Sequence, residues 1–356
     1  MKPTIRDVAK LADVSISTVS RVMNAPDTVV EVKRQRVLDA IEQLNYQPNA
    51  FARGLIYKRS HTLGVLIPDI RNPYYGGVIR GMEDAAKQLG YNLMICNTDR
   101  EAERMIMYLD NFNKQQVDGI LFASDFVRPA YYEAMLAYRL PVVLVSTESQ
   151  QYDLPSVKID EEQAAYDAVK YLIESGHRDI GFIGFTLPDP ISGQMRYNGF
   201  IRAINQYELH HCIDYVAFAT HWFEEAYEAT ATLFDRHPHL TAIFACSDEF
   251  AMGTISCLHS RGIHVPQQVS VIGFDNIRMS WMTIPKLTTI AQPMYQIGFH
   301  SVQKLHELIQ TGTVALFREW LPHELIIRES TLPLHTTRQY PLPNPTNNPK
   351  HKSISQ

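Results

Sequence analysis

The chain has 356 residues, a formal net charge of −5 and ordinary proportions of hydrophobic (45%) and charged (20%) residues. This length predicts more than one compact unit. The four cysteines are scattered, with no CxxC pair and no matching histidine spacing, so we expect a reducing compartment, no disulfide framework, no metal and no cofactor. No apolar run approaches the roughly 18 residues of a bilayer-spanning helix, and no signal peptide is evident. We therefore expect a cytoplasmic protein with no membrane partner.

The charge is distributed unevenly along the chain. Residues 1–60 contain ten Lys or Arg and six Asp or Glu, a charge of +4, whereas the remainder carries −9. Attraction to the phosphates of a nucleic acid through one end of a protein requires a basic segment of this kind. The distribution therefore favours a nucleic-acid partner for the N-terminal segment.

Three short amphipathic helices are predicted before residue 48. The first begins after Thr4, which has the spacing of a capping box with Asp7. A turn at 13–15 leads to a second helix over 17–23, and a third helix spans about 30–44. The apolar stripe of the third helix contains Val30, Val37, Ile41 and Leu44. Three helices of this kind form a minimal bundle.

Pro48 ends the third helix, and one or two further helical turns are predicted over 49–55. From Leu63 onwards, short apolar runs alternate with amphipathic helices, a pattern that predicts parallel sheets flanked by helices on both faces. The segment 150–158 divides this pattern into two lobes. The sequence thus predicts an α/β protein that consists of a three-helix head (1–47), a hinge helix and linker (48–61), a two-lobed body (62–331) and a disordered tail (332–356).

The second helix has the pattern of one that reads base edges in the major groove. The phase that buries Val19 and Val22 exposes three other residues, Ile16, Ser17 and Arg21. A guanidinium can bond O6 and N7 of guanine, and an aliphatic side chain can contact a thymine methyl group. Hydroxyls near helix starts can bond phosphates; the candidates are Thr4, Ser15, Thr18 and Ser20. The alternative is a small helical bundle with an arginine on a solvated face.

Six motifs occur in a fixed order along the chain: TIRDVAKLADVSISTVSRVMN, YQPNAFARGL, PDIRNPYYGGVIRGME, GHRDIGFIG, VPQQVSVIGFDN and PKLTTIAQP. This series resembles the LacI/GalR family of bacterial transcriptional regulators. The resemblance implies a helix-turn-helix head that binds double-stranded operator DNA, a homodimer on a near-palindromic site, and a body with the periplasmic-binding-protein fold. Such a body senses a small-molecule effector, which we expect to be a sugar or a sugar derivative.

The same resemblance implies that the hinge folds as a helix on operator DNA. Leu55 from each subunit would then be inserted as a wedge into the minor groove, and apolar wedges of this kind bend DNA. Ala52 is small enough to allow close approach to the groove, and Asn49 and Arg53 are expected to meet base edges or phosphates. The alternative is that Leu55 is a linker residue that packs on the body.

The family motifs also assign an effector site between the two lobes, at the carboxyl ends of the strands, where α/β sheets bind ligands. The assigned residues are Asn72, Tyr74, Tyr75, Ser124, Asp125, Asp160, Arg196, Trp222, Ser247, Asp248 and Asp275. This set of side chains suits a neutral polyol, because carboxylates and a guanidinium hydrogen-bond its hydroxyls and an indole packs against its apolar face. Structural alternatives stay open, since Asp248 and Asp275 have the pattern of capping residues. Trp222 fits a core aromatic, and Arg196 fits a surface residue.

Two segments, PSVKIDEEQAAYDAVKYLIESGH and AQPMYQIG, resemble the catabolite control branch of the family in particular. Members of that branch sense a serine-phosphorylated phosphocarrier protein on their outer surface. Gln303 stands where that branch places an arginine for the phosphoserine, and a phosphate without that arginine loses a charge-assisted bidentate bond. A small-molecule effector is therefore favoured, and a response to the phosphocarrier protein is the alternative.

Two other functional classes account for less of the sequence. A sugar-binding protein without a DNA role would explain the body but not the basic head. An enzyme would need catalytic residues, and the sequence contains no GxSxG, HExxH, P-loop or GxGxxG motif. We therefore expect a non-enzymatic regulator, a repressor of carbohydrate-related genes.

Overall fold

The computed structural model describes residues 3–24, 26–46, 59–123, 126–187, 192–220 and 223–334. Backbone contacts divide the chain into two compact units, residues 1–61 and residues 62–356. We call the first unit the head and the second the body, and each is described by itself. Among the described residues, no helix combines the length and the apolar character that crossing a bilayer requires.

The head contains three helices around a small apolar core. The helices are α1 (Ile5–Leu11), α2 (Ile16–Asn24) and α3 (Glu31–Gln43). The predicted capping box is present, because the N–H and the hydroxyl of Thr4 donate to Oδ2 of Asp7 at 2.8 and 2.7 Å. Asp13, with φ of 52°, reverses the chain between α1 and α2. The core consists of Val8, Ala9, Ala12, Val19, Val22, Val37 and Ala40.

The predicted apolar stripe of α3 is correct except for its first residue. Val37 is buried, and Ile41 and Leu44 pack against the core, but Val30 is 71% exposed. Val30 precedes the first helical residue, and its backbone is not helical. The helical period applies only to residues inside the helix, so the prediction for Val30 is wrong.

The body contains two six-stranded sheets, and each sheet is the centre of one lobe. The strands are β1 (Thr62–Ile67), β2 (Asn92–Asn97), β3 (Gly119–Phe122), β4 (Val142–Val145), β5 (Ser156–Ile159), β6 (Ile180–Phe185), β7 (Val216–Ala219), β8 (Ala242–Ala245), β9 (Ser270–Asp275), β10 (Thr288–Ala291), β11 (Arg318–Leu321) and β12 (Glu324–Ile326). Lobe 1 contains the sheet with the order β11-β5-β4-β3-β1-β2, and lobe 2 contains the sheet with the order β12-β10-β9-β8-β6-β7. Among the described strands, every pair is parallel except β10 and β12, which are antiparallel.

Helices connect these strands and cover the sheets, as the alternating pattern predicts. They are α4 (Pro73–Gln88), α5 (Ala102–Lys114), α6 (Pro129–Tyr138), α7 (Glu161–Glu174), α8 (Gly193–Gln206), α9 (Phe223–Arg236), α10 (Asp248–Ser260) and α11 (Met294–Thr311). Proline occupies the first turn of α4 and α6, where no N–H is needed, and Gly312 ends α11 with φ of 77°. The α/β class with helix-flanked parallel sheets is therefore confirmed.

The chain passes between the two lobes three times within the described residues, after β5, after β10 and after β11. Glu161 follows the first passage, and Gln292 lies on the second. Each lobe therefore combines segments that are distant in the sequence. The passages bring residues from both lobes to the region between the sheets.

The alternation of apolar runs and helices in the sequence does not predict five of the strands: β5, β7, β10, β11 and β12. β5 (Ser156–Ile159) begins inside the segment 150–158, for which the sequence predicts only a separation of the lobes. The tail prediction also needs correction at its start. The N–H of Leu332 donates to Oγ of Ser270 at 3.0 Å, and the N–H of Leu334 donates to the Ser175 carbonyl at 2.9 Å. Residues 332–334 thus belong to the body, whereas 335–356 lie outside the described residues.

Candidate functional site

A cavity of about 310 Å³ lies between the carboxyl-terminal edges of the two sheets. Residues after β1, β2 and β4 line it from lobe 1, and residues after β6, β8 and β9 line it from lobe 2. The lining consists of Pro68, Asp69, Arg71, Asn72, Pro73, Tyr74, Tyr75, Asp99, Arg100, Ser146, Glu161, Phe185, Ser192, Arg196, Ser247, Glu249, Asp275, Ile277 and Gln292. Loops at the carboxyl ends of parallel strands form the usual ligand site of such sheets.

Arg196, near the start of α8, is held at the wall of this cavity by two carboxylates. Its Nε donates to Oε2 of Glu161 at 2.7 Å, and its Nη2 lies 3.3 Å from Oδ1 of Asp275. Its Nη1 donates to the Cys246 carbonyl, and the guanidinium lies 3.7 Å from the centre of the Phe274 ring. Burial alone would lower the pKa of Arg196, but the charges of Glu161 and Asp275 outweigh it and raise the pKa. The guanidinium is therefore a fixed, permanently charged donor.

Asp275 is the most perturbed carboxylate that lines the cavity. Burial raises the pKa of Asp275 to about 6, although Arg196 and Gln292 oppose this shift. Its backbone φ is 112°, a value that a residue with a side chain rarely adopts. A strained backbone and a shifted pKa in one residue are typical of functional sites.

Gln292 links the two lobes through hydrogen bonds. Its Oε1 accepts from the hydroxyl of Tyr74 in lobe 1 at 3.3 Å, and its Nε2 donates to Oδ1 of Asp275 in lobe 2 at 2.7 Å. The Tyr74 hydroxyl also lies 2.6 Å from Oγ of Ser146. Burial raises the pKa of Tyr74, so the phenol stays neutral and can donate. A chain of hydrogen bonds thus runs across the cavity.

Two further residues expected at the cavity shape the loops that line it. Oδ1 of Asn72 accepts from the N–H of Tyr74 at 3.0 Å and begins α4. Oγ of Ser247 accepts from the N–H of Phe250 at 3.2 Å and begins α10. The Tyr75 ring packs edge-on against Tyr74, with 5.2 Å between the ring centres. The structure therefore brings together six of the residues expected from the sequence: Asn72, Tyr74, Tyr75, Arg196, Ser247 and Asp275.

Two expected residues lie outside this lining. Asp160 begins α7, where its Oδ1 accepts from the N–H of Gln163 at 2.9 Å. Asp248 is completely buried, and its oxygens accept from the N–H of Ile277 and the hydroxyl of Thr289. Both carboxylates thus bond inside the protein, and the structure does not bring them to the cavity lining. The other three expected residues, Ser124, Asp125 and Trp222, lie outside the described residues.

Sequence reasoning overlooked Glu161, Ser146 and Gln292. Glu161 directly follows Asp160 in the segment PSVKIDEEQAAYDAVKYLIESGH, and Gln292 lies in the motif PKLTTIAQP. The motifs therefore contained the signal for both. Ser146 ends a buried apolar strand with φ of 58° and carries no comparable motif.

The head presents a polar face along α2. Ile16, Ser17 and Arg21 are exposed, as predicted from the helical phase. Oγ of Ser15 lies 2.7 Å from Oγ of Ser17 and 2.9 Å from Oγ1 of Thr18. In the described part of the head, ion pairs of arginines involve Arg34 and Arg36, and the exposed Arg21 is not among them. Ser20 is half-buried, and Thr4 is exposed with its hydroxyl bonded to Asp7. The hinge residues Asn49, Ala52, Arg53 and Leu55 lie outside the described residues.

Comparison with known proteins identifies both units. Residues 4–49 match the model of bacterial regulatory proteins of the lacI family, and residues 60–329 match the model of periplasmic binding proteins and the sugar binding domain of the LacI family. The chain belongs to the LacI family. This LacI-family protein is therefore a DNA-binding transcriptional regulator with a sugar-binding-like body, and not an enzyme.

Individual relatives cover nearly the full length of this LacI-family chain. It is 40% identical to catabolite control protein A of Priestia megaterium, over 93% of this chain and 100% of that protein. The structure of the lac repressor dimer bound to operator and the anti-inducer ONPF matches with a TM-score of 0.85 and 26% identity, over 93% of this chain and 100% of that one. The complex of the transcriptional regulator CelR with cellobiose matches with a TM-score of 0.72 and 27% identity, over 92% and 99%.

Proposed function

We propose that this LacI-family protein is a homodimeric repressor of carbohydrate-related genes that acts in the cytoplasm on a near-palindromic operator. A neutral sugar in the cavity between the lobes controls its affinity for DNA. The observation that carries this proposal is the buried arrangement of Arg196 between Glu161 and Asp275 at the wall of a polar cavity.

The cavity chemistry supports a sugar. A sugar hydroxyl both donates and accepts, so it can bridge a carboxylate and a guanidinium that are fixed side by side. Side chains that are already held by hydrogen bonds lose little conformational entropy when a ligand binds. The CelR relative binds cellobiose, which is consistent with this ligand class.

The charge of the lining favours a neutral ligand. Three arginines and five carboxylates line the cavity. This excess of negative charge repels a phosphate or another anion. An uncharged sugar meets no such penalty and gains hydrogen bonds to both kinds of group. A sugar phosphate is therefore the less suitable derivative.

The closure of the two lobes supplies a mechanism for control. A ligand that contacts both walls binds the closed arrangement more tightly and shifts the population towards it. The hydrogen bonds of Gln292 to Tyr74 and Asp275 already join the lobes at the cavity. A sugar that displaces or strengthens these hydrogen bonds changes the arrangement of one lobe relative to the other. We propose that this change is transmitted to the hinges.

The head supports recognition of a specific duplex. Arg21 would bond a guanine, and Ile16 and Ser17 would contact neighbouring base edges in the major groove. Hydroxyls at the starts of α1 and α2, those of Thr4, Ser15 and Thr18, would bond phosphates, as would the hydroxyl of Ser20 within α2. The operator in the lac repressor relative is bound by a dimer, and a two-fold dimer demands a symmetric site. The hinge residues Asn49, Ala52, Arg53 and Leu55 would occupy the minor groove between the two heads.

The experiment that tests this proposal begins with selection of a preferred duplex from a randomised DNA pool. Fluorescence anisotropy then compares the selected duplex with random DNA, with and without sugars. We expect a near-palindromic selected sequence, binding at least about 1,000-fold tighter than to random DNA, and a change in that ratio on addition of one sugar. Leu55→Ala should reduce binding to the selected duplex far more than binding to random DNA. The absence of any preferred symmetric duplex would contradict the proposal.

A second candidate is control by a serine-phosphorylated phosphocarrier protein, favoured by the 40% identity to catabolite control protein A. On α11 the exposed Tyr295 donates to Oδ2 of Asp84 at 3.2 Å, and the exposed Gln303 carries no charge for a phosphate. The discriminating measurement adds the phosphorylated phosphocarrier protein to the same anisotropy assay. A strong enhancement of DNA binding without any sugar would favour this second candidate.

A further inference from the structure

A second cavity lies beside the first at the carboxyl-terminal edge of the lobe 1 sheet. Its volume is about 340 Å³, and it is lined by residues that follow β3 and β4, together with Lys158 of β5. The first cavity is lined by residues that follow the neighbouring strands β1 and β2. The strand order places β3 next to β1, so the two cavities are neighbours along one edge.

Two short segments line both cavities and join them. At the end of β4, Ser146 faces the first cavity and Thr147 the second. At the start of α8, Arg196 belongs to the first cavity, whereas Gln194 and Met195 belong to the second. The same two walls, one from each lobe, therefore enclose both cavities. They form two compartments of one elongated cleft.

Among the described residues that line the second cavity, the two charged side chains compensate each other. Lys158 and Glu148 form an ion pair at 3.2 Å, and their side chains are 6% and 15% exposed. Because each charge neutralises the other, these described lining residues offer no free cation to a phosphate and no free carboxylate to an amine. The remaining polar groups of the lining are hydroxyls and side-chain amides, which bond neutral hydroxyl groups in either direction; they belong to Thr147, Ser149, Gln150, Gln151 and Gln194.

An aromatic ring gives this cavity an apolar wall. Phe126 is 41% exposed although it lines a cavity, and Met195 and Val127 lie in the same lining. A sugar ring has one face of C–H groups, and an exposed aromatic ring offers a matching apolar surface. A combination of neutral polar groups with one exposed ring therefore fits a second sugar ring.

From these two compartments we infer that the effector is a neutral disaccharide, an inference that rests on the proposed sugar-controlled function. One ring lies against Arg196, Glu161 and Asp275, and the second lies against Phe126 and the amide of Gln194. Each cavity alone is near the lower end of the range for ligand sites, about 300–1,000 Å³. A monosaccharide would fill one compartment and leave the other to water.

Calorimetric titration of the DNA-free protein tests this inference with defined sugars. The probes are maltose, cellobiose, lactose, melibiose, sucrose and trehalose, together with their components glucose, galactose and fructose. We expect at least one disaccharide to bind about 30-fold or more tightly than either of its components. A monosaccharide that binds as tightly as every disaccharide would overturn the inference but leave sugar control intact. Failure of all nine sugars to bind would overturn both the inference and the sugar-controlled function.

A pair of variants locates the second ring. Phe126→Ala removes the exposed ring of the second cavity, and Phe317→Ala, equally 41% exposed but outside both linings, is the matched control. We expect Phe126→Ala to weaken disaccharide binding about tenfold and to change monosaccharide binding less than twofold, whereas Phe317→Ala changes neither. Equal losses for both sugar classes, or no loss for the disaccharide, would contradict the placement. Thermal unfolding of both variants shows whether the fold is retained.

Discussion

Nε of Arg196 donates to Oε2 of Glu161 at 2.7 Å, and both side chains are almost completely buried. A buried guanidinium is stable only when opposite charges and hydrogen bonds replace the water it has lost. Glu161 and Asp275 supply those charges, and the Cys246 carbonyl accepts a further hydrogen bond. This relationship explains why an arginine can lie buried in the wall of the cleft.

The variant Glu161→Gln tests the importance of that ion pair. It keeps the shape of the side chain but leaves Arg196 with one neutralising carboxylate, so we expect a loss of about 1–3 kcal/mol in the free energy of unfolding. Urea denaturation measures this loss. Glu162→Gln is the control, since Glu162 pairs with the more exposed Arg202 at 2.9 Å, and its expected cost is below about 0.5 kcal/mol. Equal effects of both substitutions would show that burial of the pair is unimportant.

The pKa of Asp275 predicts a pH dependence of sugar binding. Burial raises that pKa to about 6, so the carboxyl is ionised at pH 7.5 and protonated at pH 5. An ionised carboxylate accepts stronger hydrogen bonds from sugar hydroxyls than a protonated one. We therefore expect affinity for the sugar to fall by up to about tenfold in total between pH 7.5 and pH 5. Calorimetric titrations from pH 5 to pH 8 measure the dependence, and Asp275→Asn should abolish it. A wild-type affinity that does not vary with pH would exclude this role of Asp275.

The raised pKa of Asp275 affects folding stability in the opposite direction from sugar binding. Because the pKa of Asp275 in the folded protein is above its unfolded value, folding takes up a proton. The stabilising contribution of this group is complete below about pH 4 and is lost as the pH rises through about 6. In thermal unfolding, Asp275→Asn should therefore show a smaller decrease in stability between pH 4.5 and pH 7 than the wild type. Low pH thus favours the fold at this residue while it weakens the effector site.

Close contact between α4 and α11 predicts a large effect of a small substitution. A methyl group at Gly298 would lie 1.9 Å from the carbonyl oxygen of Val78, which is backbone and cannot move aside cheaply. Gly298→Ala is therefore expected to cost about 1–3 kcal/mol in the free energy of unfolding. Gly76→Ala, at a helical position with no atom within 4 Å, is expected to add about 0.5–1 kcal/mol. Denaturant unfolding of both variants checks the predicted opposite signs.

The sequence predicts seven of the twelve strands and misses three of the four edge strands, β7, β11 and β12, together with their interior neighbours β5 and β10. The difference has a physical reason. Val142–Val145 and Gly119–Phe122 are buried on both faces, so they appear as short continuous apolar runs. Arg318–Leu321 and Glu324–Ile326 lie at sheet edges, are partly exposed and carry charged residues. They are strands because distant strands pair with them, and that pairing leaves no local apolar pattern.

The candidate effector site also combines information from local sequence with information from tertiary contacts. Motifs identify Arg196 and Asp275, but they select Asp160, whereas the next residue, Glu161, lines the cavity. Asp160 satisfies an N–H at the start of α7, a role that favours aspartate locally. The selection of Glu161 depends on a contact with Arg196, 35 positions away. Such a contact is set by the packing of α7 against α8 and cannot be derived from spacing along one helix.

Arg21 provides the sharpest test of the head. Arg21→Ala should lower affinity for the selected duplex by about 1–3 kcal/mol, or roughly 5- to 150-fold, because a bidentate contact to a guanine is lost. Binding to random DNA should fall much less, since that binding depends on phosphates. Arg34→Ala is the matched control, because Arg34 lies near Asp27 and Glu31 at 3.8 and 3.5 Å. Anisotropy measurements on both duplexes at several salt concentrations separate the two effects. Equal losses on the selected and the random duplex would assign Arg21 to a phosphate and leave the reading of bases to other residues of α2.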